Sequence, residues 1–281
     1  MLLVVGAVLK NSVAVKKRED QTVSTDVNDD KFRAVRDRVW FYDFELPDGT
    51  YTPCDVPESL RAVHYNRRRY LRTVIQQHVT NSQDLTAIDF ASHEGYFTIE
   101  LAKHFSFVRG FEIRPESLAA ARQISDALGV TNVEFTAADL QNMEFDERLS
   151  ADFVLVYGLL YHMESPIRVL RLASQLSRRH ILVETQLFPY DVAGRVEDGS
   201  YFNQRAVEGV FALTPDYPLG REGGSTEVAL VPSLNALLFL LRTFGFHDLQ
   251  VIGPDPDDYE QYRRGSRAVV YGSKVNKSTL G

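Results

Sequence analysis

The sequence has few residues that could cross-link the fold or anchor it in a membrane. Among 281 residues there is one cysteine, Cys54, which excludes an intrachain disulfide and a cysteine-rich metal cluster. Residues 1–9 are apolar, but the run stops at Lys10 and is not preceded by basic residues. Such a run is too short to span a bilayer and is a poor signal peptide. We therefore expect a chain of a reducing compartment, with the cytoplasm as the default location and no membrane partner.

Positive charge is also scarce, because 31 Lys and Arg residues face 38 Asp and Glu residues, for a net charge of −7. Nucleic-acid binding needs a basic face, so a nucleic-acid partner is not favoured. The basic cluster Arg67-Arg68-Arg69, with Arg61 and Arg72, is interpreted as the solvated face of a helix, and an RNA-binding surface is the alternative. A hydrophobic content of 44% is typical of a globular chain with a sizeable core.

The beginning of the chain differs from the rest in its pattern of polar, aromatic and apolar residues. Residues 11–31 are polar and without periodicity, which indicates a mobile arm. Residues 32–58 are rich in aromatic side chains around the turn signal Pro47-Asp48-Gly49, which predicts a short hairpin. Helical spacing of apolar residues over 57–79 predicts one helix. We group residues 1–79 as an arm, a hairpin and a cap helix.

Residues 80–281 alternate between short apolar strands and helical stretches, which is typical of a parallel sheet with helices on both faces. An aromatic and glycine-rich insertion over 186–231 interrupts the pattern and is expected to cover a substrate. The fold class predicted is α/β, a doubly wound, Rossmann-like, seven-stranded and mostly parallel sheet. The predicted strands are 86–90, 107–113, 132–136, 151–157, 180–185, 249–252 and 268–271.

One short segment has the features of a nucleotide-binding turn. It follows the first predicted strand and opens a helix, where a tight turn, a close backbone approach and free N–H groups are needed. Small residues and a glycine suit those needs. The segment is Asp89-Phe90-Ala91-Ser92-His93-Glu94-Gly95.

Two further acids follow the next two predicted strands. Glu112 lies 23 residues after Asp89, where a carboxylate can accept the hydroxyls of a ribose. Asp139 follows the third strand, where it can accept a hydrogen bond from an adenine amino group. Each acid alone is more often a cap or a turn residue. Together they are expected to converge at the carboxyl edge of the sheet, where open α/β sheets bind ligands.

With these residues in place, the sequence resembles the class I S-adenosylmethionine-dependent methyltransferases. Their first motif is an acid followed by glycines at alternate positions, and here Asp89 is followed by Ala91, His93 and Gly95. The resemblance implies S-adenosylmethionine as the cofactor, S-adenosylhomocysteine as its product, and the 89–95 segment at the methionine part.

The resemblance also implies the remaining cofactor contacts. Glu112 would hold the ribose, and Asp139 with Leu140 would hold the adenine. Further candidates for cofactor contact are Ile113, Tyr157, Gly158 and Trp40.

The fourth strand narrows the resemblance to a subset of these enzymes. Tyr157-Gly158-Leu159-Leu160-Tyr161-His162, followed by Pro166, is similar to their G-x-L-Y-H-x-x-x-P segment. The subset includes enzymes that carboxymethylate wobble uridine in tRNA and methyltransferases of small-molecule and sugar pathways. The tRNA enzymes hold an extra carboxylate with an arginine where this chain has Thr226-Glu227. We therefore expect plain S-adenosylmethionine rather than a carboxylated cofactor.

Methyl transfer from a sulfonium depends mostly on alignment, and a base is needed only for a hydroxyl or a protonated amine. His162 is the candidate base, Tyr161 the residue that lines the methyl group or binds the acceptor, and Glu184 a second candidate base. The alternatives are a histidine that caps the following helix and a glutamate that bonds nearby backbone. No metal site is expected.

The preferred function is methylation of a small molecule, on oxygen or nitrogen. The alternatives are a tRNA-modifying enzyme, a catalytically silent cofactor-binding module and a nicotinamide dehydrogenase. The loss of two of the three loop glycines counts against the dehydrogenase. The acceptor's identity and the oligomeric state, including a homo-oligomer, are left open.

Overall fold

A computed structural model describes residues 31–195, 206–216, 224 and 226–274. The apolar residues 1–9 and most of the expected arm at 11–31 lie outside the described residues. The helices are α1 (31–37), α2 (Glu58–His78), α3 (Tyr96–Ala102), α4 (Pro115–Ala127), α5 (Pro166–Leu176), α6 (Leu234–Thr243) and α7 (Glu260–Arg263).

Eleven strands are formed by the described residues. They are β1 (Thr86–Phe90), β2 (Phe107–Glu112), β3 (Val133–Ala137), β4 (Ala151–Tyr157), β5 (Ser177–Gln186), β6 (Ala193–Arg195), β7 (Ala206–Glu208), β8 (Phe211–Pro215), β9 (Val228–Pro232), β10 (Asp248–Ile252) and β11 (Arg267–Ser273).

Seven of these strands form the central sheet, in the order β10-β11-β5-β4-β1-β2-β3. The neighbours β5, β4, β1, β2 and β3 are parallel, and only β11 runs antiparallel to its two neighbours. The chain order reverses direction between β1 and β4, so the loops after these strands diverge and leave a crevice between them. The predicted fold class, a doubly wound and mostly parallel seven-stranded sheet, is confirmed.

Helices cover both faces of the sheet because both faces are apolar. On one face, the buried side chains Leu71 and Val74 of α2 join Ile124 of α4 in a core with the N-terminal aromatics. On the other, Val169 of α5 and Leu237 of α6 pack against alternate residues of the same strands. β4 is buried along its whole length, as expected for a strand covered on both faces.

The expected hairpin in residues 32–58 is only partly formed. Isolated bridges join Trp40 to Cys54 and Glu45 to Tyr51, and no continuous ladder connects them. The Thr52 hydroxyl accepts a hydrogen bond from the Phe44 amide at 2.9 Å, so a side chain replaces a ladder partner. Burial of every second residue from Trp40 to Leu46 holds this extended segment against the core instead.

The insertion at 186–231 contains two small hairpins, β6–β7 and β8–β9. β9 is tied to the main domain because the Leu230 amide donates to the Met163 carbonyl at 2.9 Å. This contact places the β8–β9 hairpin next to the 3₁₀ turn Leu160–His162. In the part of the chain that the structure describes, no helix is both long and apolar enough to cross a membrane.

Candidate active site

A cavity of about 310 Å³ opens at the carboxyl edge of the sheet. A smaller one of about 40 Å³ adjoins it and shares Ala91, Glu112 and Ile113. The larger volume is in the range of small-ligand sites. Its walls come from widely separated segments of the described chain: Phe41, Tyr42, Val56, Leu60, Val63, His64, Arg67, Ala91, His93, Glu112, Ile113, Arg114, Tyr157, Gly158, Leu159, Tyr161, His162, Met163, Gly224, Tyr259, Gln261 and Arg267.

The loop after β1 adopts a left-handed backbone at three alternate positions. The φ angles are 58° at Ala91, 51° at His93 and 83° at Gly95. Left-handed φ is disfavoured for residues with a Cβ atom and costs about 1–2 kcal/mol each. These are the positions at which the resembling family has glycine, so the turn is kept here although two of its glycines are lost.

Gly95 is the position where a side chain cannot be accommodated. A Cβ atom there would lie 2.9 Å from Cζ of Phe135 and 3.1 Å from Cβ of Ala121. The loop therefore packs directly on β3 and α4. This contact explains why the last glycine of the motif remains.

Asp89 is placed differently from the expectation. Its carboxylate is buried below the loop, where it accepts a hydrogen bond from the Thr98 hydroxyl at 2.7 Å. It does not line either cavity. Burial raises the pKa of Asp89 to about 7, with Glu112 adding to the rise and the Thr98 bond opposing it. Asp89 thus connects β1 to α3 and supports the loop from beneath.

Glu112 forms the anionic centre of the cavity wall. One carboxylate oxygen accepts the amide of His93 at 2.9 Å, and the other accepts the amides of Ile113 and Arg114, each at 2.9 Å. The side chain is buried and lines both cavities. A carboxylate has about four acceptor sites, and three are used here, so about one is left for a ligand hydroxyl. The backbone bonds fix its orientation.

Asp139 and Leu140 line the smaller cavity beside Ile113. The Asp139 carboxylate accepts the Gln141 amide at 3.0 Å and the Asn142 side-chain amide at 2.7 Å. Register brings this acid close to Glu112, because Glu112 pairs with Ala137 at the end of β3. The structure therefore brings Glu112 and Asp139 together, as predicted from the strand ends.

Four other predicted cofactor residues lie off the cavity walls, namely Phe90, Ser92, Gly95 and Trp40. Phe90 and Trp40 are fully buried in the core, and Ser92 is buried behind the loop. The Trp40 indole donates to the Val35 carbonyl at 2.8 Å. The structure does not support direct cofactor contact by these side chains. The neighbouring Phe41 and Tyr42, by contrast, do line the cavity.

A buried charge cluster forms the wall opposite Glu112. Glu184 accepts Nε of Arg67 at 2.8 Å and a terminal guanidinium nitrogen of Arg267 at 2.9 Å. It also accepts the Tyr262 hydroxyl at 3.0 Å and the Gly158 amide at 3.1 Å. Both guanidinium groups line the cavity. Two positive charges share one negative charge, so the cluster is positive overall.

The structure does not support Glu184 as a base. Its side chain is fully buried and does not reach the cavity. Burial alone would raise its pKa, but the charges and hydrogen bonds of Arg67 and Arg267 hold the pKa of Glu184 below its ordinary value. A carboxylate with four hydrogen-bond donors and a lowered pKa is a poor proton acceptor. Its role is to hold the two arginines.

Gly158 and Tyr157 line the cavity where β4 ends. A Cβ atom on Gly158 would lie 2.7 Å from the Arg67 guanidinium, so this glycine gives the guanidinium its place. The Tyr157 hydroxyl is buried and has no hydrogen-bond partner among the described residues. Burial raises the pKa of Tyr157.

Tyr161 and His162 lie in the 3₁₀ turn after β4, and both line the cavity. The Tyr161 hydroxyl accepts a hydrogen bond from Arg67 at 3.4 Å, and its ring lies under Arg267. His162 does not cap α5, because its Nδ1 faces the Asp216 carboxylate at 3.1 Å. Burial lowers the pKa of His162, and the charge and hydrogen bond of Asp216 oppose that shift.

Several wall residues were not predicted. His64 is buried between the rings of Phe41 and Tyr42, and burial together with Arg67 lowers its pKa to about 3. Its Nδ1 lacks a hydrogen-bond partner among the described residues. The arginine cluster that includes Arg67 was interpreted as the solvated face of a helix. His64 lies on the same amphipathic helix. No spacing in the sequence distinguishes a helix residue that faces a cavity from one that faces water.

A protein family described as Methyltransferase domain matches residues 81–213. A curated relative is the tRNA U34 carboxymethyltransferase of Desulfotalea psychrophila, 24% identical over 194 residues. That match covers 68% of this chain and 54% of the relative's length, so this chain spans about half of it.

Among solved structures, the N-terminal domain of EvdMO1, crystallised in the presence of SAH and D-fucose, superposes with a TM-score of 0.63 at 20% identity, covering 92% of this chain and all of that one. The magnesium protoporphyrin IX methyltransferase of Synechocystis, with bound SAH, gives a TM-score of 0.51 at 15% identity over 89% of this chain and 99% of that one. A methyltransferase of Mesorhizobium loti gives 0.51 at 18% identity over 77% of this chain and all of that one.

Sequence identities this low show that the fold is shared and nothing more. The matched domain begins immediately before β1, and the sheet order and the loop with three left-handed positions agree with it. Within the described residues, no group of histidine, cysteine and acidic side chains is arranged to hold a metal ion. Residues 81–213 thus match a methyltransferase domain, and the order of the sheet is that of the class I S-adenosylmethionine-dependent methyltransferase fold.

Proposed function

We propose that this protein transfers a methyl group from S-adenosylmethionine to a small molecule held in the larger cavity. The observation that carries the proposal is the pairing of two unlike walls around about 310 Å³. One wall presents the Glu112 carboxylate on fixed backbone amides, and the other presents His162, Tyr161 and two guanidinium groups. A ligand between them contacts both.

The β1–β3 side suits the cofactor. Glu112 can accept a ribose hydroxyl, Asp139 and Leu140 border the smaller cavity, which we assign to the adenine, and Ala91 and His93 line the larger one. The cofactor supplies an activated methyl group on a sulfonium.

The opposite side suits the acceptor. His162 is the candidate base for an acceptor hydroxyl or ammonium, because burial keeps its imidazole neutral at physiological pH. Tyr161, held by Arg67, can orient the acceptor oxygen or nitrogen. Transfer then relies mainly on alignment, for which effective molarities of about 10⁵ M are attainable.

The tRNA alternative is less well supported, although a tRNA-modifying enzyme is among the relatives. It requires a continuous basic surface on α2, but the arginines there are paired internally. Arg61 donates to the Val56 carbonyl, Arg69 pairs with Asp258 and Arg72 with Glu100. Arg67 is buried on Glu184. What remains cannot neutralise many phosphates.

Calorimetry with S-adenosylhomocysteine tests the cofactor half of the proposal. Glu112→Ala should weaken binding by about 1–3 kcal/mol, because the ribose hydroxyl that it binds would lose its hydrogen-bond acceptor. Glu134→Ala, an exposed acid on β3, should leave affinity unchanged. No heat with the intact protein at millimolar ligand would refute the proposed activity.

Turnover tests the acceptor half. His162→Ala should reduce S-adenosylhomocysteine release, measured with a panel of hydroxylated and amino-bearing small molecules, far more than it reduces cofactor affinity. Equal loss of both would make His162 structural. A filter-binding titration with bulk tRNA is the companion experiment. Tight binding that falls steeply between 50 and 200 mM salt, roughly 10³-fold or more, would favour the tRNA alternative.

A further inference from the structure

The insertion supplies a carboxylate to the candidate base. Asp216 follows β8, far from the 3₁₀ turn in sequence, and its two oxygens lie 3.1 and 3.2 Å from Nδ1 of His162. Both side chains are largely shielded, with 14% of Asp216 and 22% of His162 exposed. A carboxylate only accepts hydrogen bonds, so the nitrogen that faces it must carry the proton.

The Asp216 carboxylate is held in place by further contacts. One oxygen accepts the Gly224 amide at 3.0 Å, and the Asp216 amide donates to the Glu227 carbonyl at 2.9 Å. A Cβ atom on Gly224 would lie 2.1 Å from that oxygen and 2.6 Å from the His162 carbonyl. The backbone at Gly224 therefore fits closely between Asp216 and His162. A fixed carboxylate of this kind orients a ring, whereas a mobile surface acid does not.

We propose that Asp216 is a positioning residue that holds His162 in the Nδ1–H tautomer, so that the lone pair of Nε2 is available to the acceptor. The role of the insertion is then to complete the base as well as to cover the substrate. This inference rests on the proposed function for its purpose, but the tautomer it names is a property of the protein without cofactor or acceptor.

Other charged groups around His162 do not replace Asp216. Arg114, which follows β2, and Arg267 of β11 both act against a positive imidazole, and Asp216 is the acid that opposes them. The Tyr161 ring lies 4.2 Å from the imidazole, centroid to centroid, but its hydroxyl is engaged by Arg67. Among the described residues, no hydrogen bond is formed by Nε2 of His162. Asp216 alone thus selects between the two ring nitrogens.

Long-range ¹H–¹⁵N NMR of histidine-labelled protein tests this directly, with the His162 signals assigned from His162→Gln. In the intact protein at pH 8, we expect the pattern of a single Nδ1–H tautomer. In Asp216→Ala we expect that pattern to be replaced by the Nε2–H form or by a mixture, and the pKa of His162 to fall. An Nε2–H tautomer in the intact protein, or an unchanged tautomer in Asp216→Ala, would overturn the proposal.

Two controls separate this result from a loss of structure. Glu227→Gln removes an exposed charge from the same hairpin without touching His162 and should leave the tautomer as it is. His180, whose Nδ1 bonds the Tyr271 hydroxyl at 2.8 Å, serves as an internal reference for an intact fold. If Asp216→Ala does not fold, the tautomer of the intact protein still decides. Absent methyl transfer with an Nδ1–H His162 would count against the proposed function alone.

Discussion

The two halves of the cavity are built on different principles. The side proposed for the cofactor, called the cofactor half below, is formed by the loops after β1, β2 and β3 and consists of acids and backbone amides. The side proposed for the acceptor, called the acceptor half, consists of buried cations, a histidine and their partners from α2, β5, β11 and the insertion. Local turns fix the first half, and tertiary packing fixes the second. Their sensitivity to substitution should differ in the same way.

The largest effect is expected in the acceptor half. Glu184→Gln would leave two buried guanidinium groups without their counter-charge, which should lower the free energy of unfolding by about 3–5 kcal/mol. Urea denaturation measures this. Glu134→Gln, which breaks the exposed pair with Arg109, should change stability by no more than about 1 kcal/mol. Equal effects of the two variants would show that the cluster is not a structural unit.

Asp89→Asn tests the support beneath the cofactor half through its pH dependence. The folded pKa of about 7 lies above the ordinary value of 3.8, so the folded protein keeps a proton that the unfolded chain has lost. Stability from this group is present below about pH 4 and is lost as pH rises towards 7. The free energy of unfolding of Asp89→Asn should therefore rise relative to that of the wild type between about pH 4 and pH 7, by up to about 4 kcal/mol.

Denaturation at several pH values measures that difference. Asp84→Asn, at an exposed carboxylate, provides the baseline. A difference between Asp89→Asn and the wild type that stays constant from pH 4 to pH 7 would contradict the assignment of a raised pKa to Asp89.

Gly95→Ala tests how tightly the loop is packed. The left-handed φ and the contact with Phe135 should together lower the free energy of unfolding by about 2–4 kcal/mol. Gly129→Ala is the matched control, because Gly129 has a φ of 67° but open space around its Cβ position. Gly129→Ala should lower the free energy of unfolding only by the cost of a left-handed backbone at alanine, about 1–2 kcal/mol. Identical losses in thermal denaturation would remove the packing argument.

The smallest effect has the opposite sign. Ala91→Gly should raise stability by about 0.5–1 kcal/mol, because it relieves a left-handed alanine at φ 58°. Ala137→Gly, in the extended backbone of β3, should lower stability by a similar amount. A destabilising Ala91→Gly would show that the loop is not strained at this position.

Much of the fold could be predicted from the sequence, because short apolar strands alternate with helices of standard length. The bounds of β1 and β4 agree with the predicted ones. The hairpin predicted in residues 32–58 is only partly formed, because Trp40 and every second residue after it pack on the core rather than on a partner strand. The division at residue 79 and the roles of individual site residues stay predictions.

The candidate site was predicted unevenly. Glu112 and Asp139 could be found because parallel strands that end together bring their next residues together. Glu184 was predicted as a second candidate base, but its bonds to Arg67 and Arg267 favour the role of a counter-ion. Asp216 carried no signal, since a single acid in a long insertion has no pattern.

What the sequence by itself determined is the order of strands and helices, and with it the acids of the cofactor half, because hydrophobic period and strand-end chemistry are local properties. Only the tertiary structure decided which charges are buried, which arginine meets which acid, and which nitrogen of His162 faces a carboxylate. Those are long-range contacts, and burial and charge pairing depend on where distant segments come to lie.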